Sequence, residues 1–91
     1  MLFLLIFEYS PENRDAIFDK FIKKGPMMPK GVKEVGMWNS LSGGQVFSIY
    51  ETNDPAALVK FGHEWNGMGT GEVIPIMESV EYIKIVKGNE F

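Results

Sequence analysis

The sequence predicts an α+β domain in which a four-stranded antiparallel sheet carries two helices on one face, and three features predict it. Two stretches are near repeats: Phe3-Leu4-Leu5-Ile6-Phe7-Glu8 running into Ser10-Pro11, and Val46-Phe47-Ser48-Ile49-Tyr50-Glu51 running into Asp54-Pro55. Each is an apolar, strand-like run that ends in a glutamate at a helix start. Each helix start leads into residues with helical periodicity and then into a further strand-like run. The chain therefore reads as two β-α-β units in tandem, the βαββαβ arrangement called ferredoxin-like, with strand order 4-1-3-2.

The elements follow in order. Leu2 to Phe7 is a strand; it lacks the basic start and the apolar length of a signal peptide and meets Glu8 at once. The first helix has Ser10 placed to cap it, Pro11 in its first turn, Glu12 and Asp15 near its positive end, and Lys20, Lys23 and Lys24 near its negative end. Ile17, Phe18, Phe21 and Ile22 form its apolar stripe, and Gly25-Pro26 stops it. Val32 to Ser40 reads as a second strand that turns through Ser42-Gly43-Gly44 into the third. The second helix runs from Asp54-Pro55 to Asn66-Gly67 with Leu58, Phe61 and Trp65 as its buried stripe. Gly62 lies on that stripe, where it is expected to let the helix approach the sheet closely at a cost of ~1 kcal/mol in helix propensity. Glu72 to Met77 is a fourth strand whose Pro75 can donate no ladder hydrogen bond, which assigns it to an edge. Residues 1–79 thus form the domain, and residues 80–91 form an extension in which Val80 to Val86 alternates loosely as an added strand.

A chain of 91 residues makes one domain, which buries only roughly 60–65% of the surface exposed on unfolding. It has no cysteine, so neither disulfides nor thiolate metal sites stabilise it, and an intracellular, cytoplasmic home is the simplest expectation. A net charge of −3 with scattered lysines gives no phosphate-tracking surface, so nucleic acid is not an expected partner. No apolar run approaches the roughly 20 residues of a membrane span, and no membrane partner is expected.

The first strand argues for a second copy of the chain. With both helices on one side of the sheet, an inner strand should alternate apolar with polar. Instead Phe3, Leu5 and Phe7 point one way and Leu2, Leu4 and Ile6 the other. Leaving several such side chains in water forfeits roughly 1.5–3 kcal/mol each. The expectation is a homodimer whose sheets face one another, a dimeric α/β barrel, with the C-terminal extension as the other candidate lid.

Glu51-Thr52, Asp54-Pro55, Leu58, Trp65 and Val73-x-Pro75-Ile76 carry a resemblance that covers most of residues 1–79. Through them the chain resembles a family of short proteins of unknown function in the dimeric α/β barrel superfamily. The resemblance implies a fold and an assembly but no reaction. Where that family often has an acidic residue after the tryptophan, this chain has Asn66.

Several side chains are candidates for chemistry. Read as parallel neighbours, the first and third strands would bring Glu8 and Glu51 to corresponding ends, ~5 Å apart. There, in a dry site, one carboxyl would act as a general base or the pair would hold a hard metal; the competing role is a solvated carboxylate near the start of a helix. Trp38, Asn39, Tyr50 and Trp65 are the groups able to line an apolar pocket with a few polar handles, against a plain packing role. Some cofactor-free monooxygenases of the resembled superfamily use tryptophan and asparagine in this way. His63, the only histidine, falls on the wet side of its helix. The run Gly67-Met68-Gly69-Thr70-Gly71 follows a helix end, where the field repels anions, so it reads as a turn at a pocket rim and not as a phosphate loop. No cofactor or metal is implied. The leading reading is a homodimer that binds a small apolar or aromatic molecule or serves as an association module. The alternative is a cofactor-independent monooxygenase or isomerase acting on a small aromatic substrate.

Overall fold

A computed structural model describes residues 1–88 of the chain. Its elements are β1 (Leu2–Glu8), a 3-10 turn (Pro11–Asn13), α1 (Arg14–Lys24), β2 (Lys33–Asn39), β3 (Gln45–Glu51), α2 (Pro55–Trp65), β4 (Thr70–Ile76) and α3 (Ser79–Lys87). The sheet order is β2-β3-β1-β4 and all three pairings are antiparallel. This is the expected 4-1-3-2 order seen from the other edge. Among the described residues β4 pairs only with β1, so Pro75, opposite Phe3, costs the sheet no inner-ladder hydrogen bond.

Local chemistry explains the boundaries. At the start of α2 the Asp54 carboxylate accepts a hydrogen bond from the Ala56 N–H at 3.2 Å. The buried Thr52 hydroxyl accepts from the Asp54 N–H and donates to the Gly31 carbonyl, each at 3.0 Å. The Thr52–Asp54 corner therefore pins the end of β3 to the loop before β2 while it opens the helix. The entry to α1 differs from expectation: the Ser10 side chain makes no capping bond. The Asn13 N–H instead donates to the Ser10 carbonyl at 3.0 Å, and the α-helix proper begins only at Arg14. Gly25, at φ 66°, ends α1.

The C-terminal extension is a helix over Ser79–Lys87, not an added strand; its last positions, 89–91, lie outside the described residues. Read at two residues per repeat, Val80 to Val86 mixes charge with both faces. At ~100° per residue, Tyr82, Ile83, Ile85 and Val86 share one arc while Glu81, Lys84 and Lys87 share the other, with Val80 alone of the apolar residues on the charged side, so the helical period separates apolar from charged better than the strand period does. Its apolar arc stays wet, with Tyr82 62% and Ile85 70% exposed, so α3 does not act as the lid of its own sheet.

The sheet has two unlike faces. Phe3, Leu5 and Phe7 of β1 lie with Val46, Ser48 and Tyr50 of β3 on the side that α1 and α2 cover. There Ile17, Leu58, Phe61 and Trp65 complete the core. On the opposite side the register aligns Leu2, Leu4 and Ile6 with Phe47 and Ile49 of β3 and with Ile74 and Ile76 of β4. These are half-buried, and Trp38, paired with Phe47 on the same side, is 54% exposed. The prediction that β1 is apolar on both flanks thus corresponds to one flank inside the core and one in a broad apolar sheet face.

Candidate functional site

A cavity of about 300 Å³ lies between α1, α2 and the covered face of the sheet. Its walls are mostly apolar: Leu5 and Phe7 from β1, Ile17 and Phe21 from α1, Phe61 and Trp65 from α2. Asn39, Ser48, Tyr50 and Asn66 supply its polar groups, and no Asp, Glu, Lys, Arg or His is among its described lining residues. An apolar hollow with a few converging polar groups is the usual form of a small-molecule site.

Two of those polar groups stand out energetically. Ser48 and Tyr50 are fully buried, and among the described residues neither hydroxyl oxygen has a partner in good hydrogen-bond geometry, although the two lie close enough for Ser48 to act on the phenol. An unsatisfied buried hydroxyl costs roughly 1–3 kcal/mol. Both residues sit two apart on one face of β3, which brings their oxygens near each other without a well-formed hydrogen bond. Burial pushes the Tyr50 phenol pKa above its ordinary 10.0; the nearby Ser48 hydroxyl partly opposes this, and the negative charge of Glu34 adds to it. Tyr50 is therefore a neutral donor at any ordinary pH. Phe61 holds its ring edge-on at 5.3 Å between centroids.

Trp65 is a wall, not a polar handle. Its ring packs against Phe7 and Phe21 at centroid separations of 6.5 and 6.4 Å, and its indole N–H donates to the Pro26 carbonyl at 3.4 Å. The Lys20 ammonium lies 4.8 Å from the ring centroid and donates to the Glu64 carbonyl, which clamps α1 to α2 beside the cavity.

Of the residues singled out from sequence, Asn39, Tyr50 and Trp65 come together around this cavity and Trp38 does not. Trp38 follows Met37 on β2, and alternation turns it to the opposite sheet face, where its ring folds over Gly36 so closely that no Cβ would fit there. The pairing of Glu8 with Glu51 is absent. Since β1 and β3 are antiparallel, Glu8 lies opposite Gln45 and Glu51 opposite Leu2, six positions away and about 20 Å along the strand. The hairpin between β2 and β3 reverses the chain direction, so two strand-end glutamates in a tandem β-α-β repeat fall at opposite ends. Both carboxylates are exposed. Glu8 accepts a hydrogen bond from the Gln45 amide at 2.8 Å, beside a wide surface depression of about 630 Å³ that also involves Tyr9, Asn13 and Gly44. His63 is exposed, as its helical phase requires.

The glycines also divide. Gly69, inside the run 67–71, sits against the Glu8 carbonyl and the Phe7 ring with no room for a Cβ, and it lines the cavity rim. Gly62 departs from expectation: a Cβ there would meet nothing within 4 Å, so close approach of α2 to the sheet does not explain it. Ser48 was not among the predicted site residues. Its signal was available, a hydroxyl at the centre of an otherwise apolar inner strand and in phase with Tyr50. Among the described residues no cluster of acidic or histidine side chains could hold a metal ion, and no helix is long and apolar enough to cross a membrane.

Comparison with known proteins locates this fold. A family model for a domain of unknown function, DUF3303, matches residues 1–90. Among solved structures, Rv0793 of Mycobacterium tuberculosis superposes with a TM-score of 0.53 at 14% identity, over 86% of this chain and 96% of that one. A candidate antibiotic biosynthesis monooxygenase of Deinococcus radiodurans superposes with a TM-score of 0.51 at 9% identity, over 87% of this chain and 95% of that one. At such identities the likeness shows the fold alone. A search of curated proteins returns no match.

Proposed function

The chain belongs to the DUF3303 family of unknown function, and from that premise we propose that it binds a small aromatic molecule in the cavity beneath α1 and α2 and oxygenates it without a cofactor, as a homodimer. The observation that carries this reading is the pair of unpartnered, fully buried hydroxyls of Ser48 and Tyr50 in an apolar cavity. A cavity of ~150 Å³ accepts one benzene ring, and each fused ring adds less volume than the first, so about 300 Å³ suits two to three fused rings. A hydroxyl or carbonyl on the ring would partner the two protein hydroxyls once a side-chain rotation opens them to the cavity, since in the free chain neither oxygen is solvent-exposed.

The oxygenase part draws on the fold shared with a candidate monooxygenase and on the character of the polar pair. A hydroxyaromatic substrate enters as its phenolate, having given its acidic proton to bulk water, since the cavity wall offers no base. Tyr50, held neutral, donates to the phenolate oxygen and stabilises the electron-rich form that reacts with dioxygen. One oxygen atom replaces the hydrogen on the ring carbon, and the other leaves as water with that hydrogen and one proton returned from bulk water, so that overall a phenol and O2 give a quinone and H2O. Glu8 and Glu51 take no part, being exposed at opposite ends of the sheet. The homodimer rests on the apolar sheet face of Leu4, Ile6, Phe47, Ile49 and Ile74, which a second sheet would cover.

The test is oxygen uptake with 1,5-dihydroxynaphthalene, followed by quinone absorbance in air and under argon. Uptake in step with quinone formation, strongly reduced in Tyr50→Phe, supports the proposal. A second reading, binding without turnover, is favoured by the lack of any Asp, Glu, Lys, Arg or His side chain among the described residues of the cavity wall. Tight binding with no oxygen uptake would select it.

A further inference from the structure

We infer that Gly62 sets the width of the cavity entrance and with it the size of the ligand that reaches Ser48 and Tyr50. The inference rests on the binding part of the proposal above, not on the oxygenation.

Gly62 stands inside α2, where glycine weakens a helix relative to alanine. Three ordinary reasons for such a glycine are absent. Its φ lies outside the left-handed region, it does not end the helix, and it is not wedged against a neighbour, since an added Cβ would meet nothing within 4 Å. What it does is line the cavity. At ~100° per residue Gly62 lies at the edge of the buried stripe of Leu58, Phe61 and Trp65 and is itself exposed, so the solvent-side border of that stripe lacks a side chain at this position. Phe21 and Ile22 of α1 line the same cavity and remain exposed at 39% and 79%. The cavity thus opens between two helices, with large apolar side chains on α1 and a missing side chain on α2. Any side chain at position 62 would take space that no protein atom fills, and the apolar body of a ligand would take the same space.

The ligand class follows from the cavity's two ends. The entrance asks for a flat apolar body, and the unpartnered hydroxyls ask for an oxygen that accepts from Tyr50. Aryl ketones combine both, and two of them differ mainly in size: 1-indanone, with two rings, and 9-fluorenone, with three.

Calorimetric titration of wild type, Gly62→Ala, Gly62→Leu and His63→Ala with each ketone tests the inference. Wild type and His63→Ala are expected to bind both. Gly62→Ala is expected to melt at a higher temperature than wild type and to hold 9-fluorenone several-fold more weakly while keeping its affinity for 1-indanone. Gly62→Leu is expected to lose at least tenfold in 9-fluorenone affinity, with circular dichroism confirming its fold. Undiminished binding of 9-fluorenone by Gly62→Ala and Gly62→Leu, beside a wild type that binds, overturns the role of Gly62 and leaves the cavity reading standing. Failure of the wild type to bind either ketone overturns both.

Discussion

Tyr50 and Ser48 have opposite values to the free protein and to a complex. In the free chain their hydroxyls are buried without partners, so removing them should not weaken the fold. Tyr50→Phe and Ser48→Ala are expected to match or exceed wild-type stability in urea unfolding at neutral pH, within about 1 kcal/mol, while each weakens binding of a hydroxyaromatic ligand. The pH dependence has a definite sign. Because the folded phenol titrates above the unfolded one, near 10, its contribution is complete below pH 10 and is lost as pH rises past that point toward the folded value, where the unfolded chain gives up its proton first. Unfolding curves from pH 9 upward should show this extra alkaline loss in wild type and lack it in Tyr50→Phe. Gly69 is the converse case, a residue whose lack of side chain the fold requires. A methyl group there would collide with the Glu8 carbonyl and the Phe7 ring, and Gly69→Ala should cost about 1–3 kcal/mol by overpacking.

Among the elements, the two long helices that cover the sheet start by different chemistry, and their sensitivity to mutation should differ accordingly. The Asp54 carboxylate takes a backbone N–H of α2, so Asp54→Ala should destabilise by about 1 kcal/mol. Ser10 makes no such bond, and Ser10→Ala should fall within about 0.5 kcal/mol of wild type by the same denaturant measurement. The S/P and D/P signatures look alike in sequence, and only the placement of the 3-10 turn at Pro11–Asn13 separates them. α3 shows a similar limit of periodicity. Its seven residues from Val80 to Val86 fit a loose alternation and a helical arc at once, and a short apolar run does not decide between them. Its apolar arc stays in water.

For the molecule as a whole, the decisive feature is the sheet face turned away from α1 and α2. Leu4, Ile6, Phe47, Ile49 and Ile74 lie together on it, with Trp38 at one side. These side chains are already half-buried, so covering the remainder is worth roughly half of the 1.5–3 kcal/mol of full burial each, which summed over the face is still large beside a domain stability of ~5–15 kcal/mol. The proposed dimer should therefore be broken by a charge at its centre. Ile49→Glu is expected to shift the protein from dimer to monomer in sedimentation velocity at micromolar concentration; an unshifted wild-type monomer would remove the facing-sheet assembly.

The residues by themselves determined the strand order, both sheet-covering helices, the edge position of the Pro75 strand and the two-sided apolar character of β1, because each follows from local period, caps and the absence of a proline N–H. Tyr50, Asn39 and Trp65, which residue type singles out as candidate pocket groups beside a plain packing role, lie around one cavity. Tertiary structure alone decided which side chains meet. Antiparallel register sent Glu8 and Glu51 to opposite ends, a single step of alternation turned Trp38 to the other face from Met37 and Asn39, and packing left an open space beside Gly62. Periodicity says which way a side chain points relative to its own element. Direction, register and spacing between elements decide what it finds there.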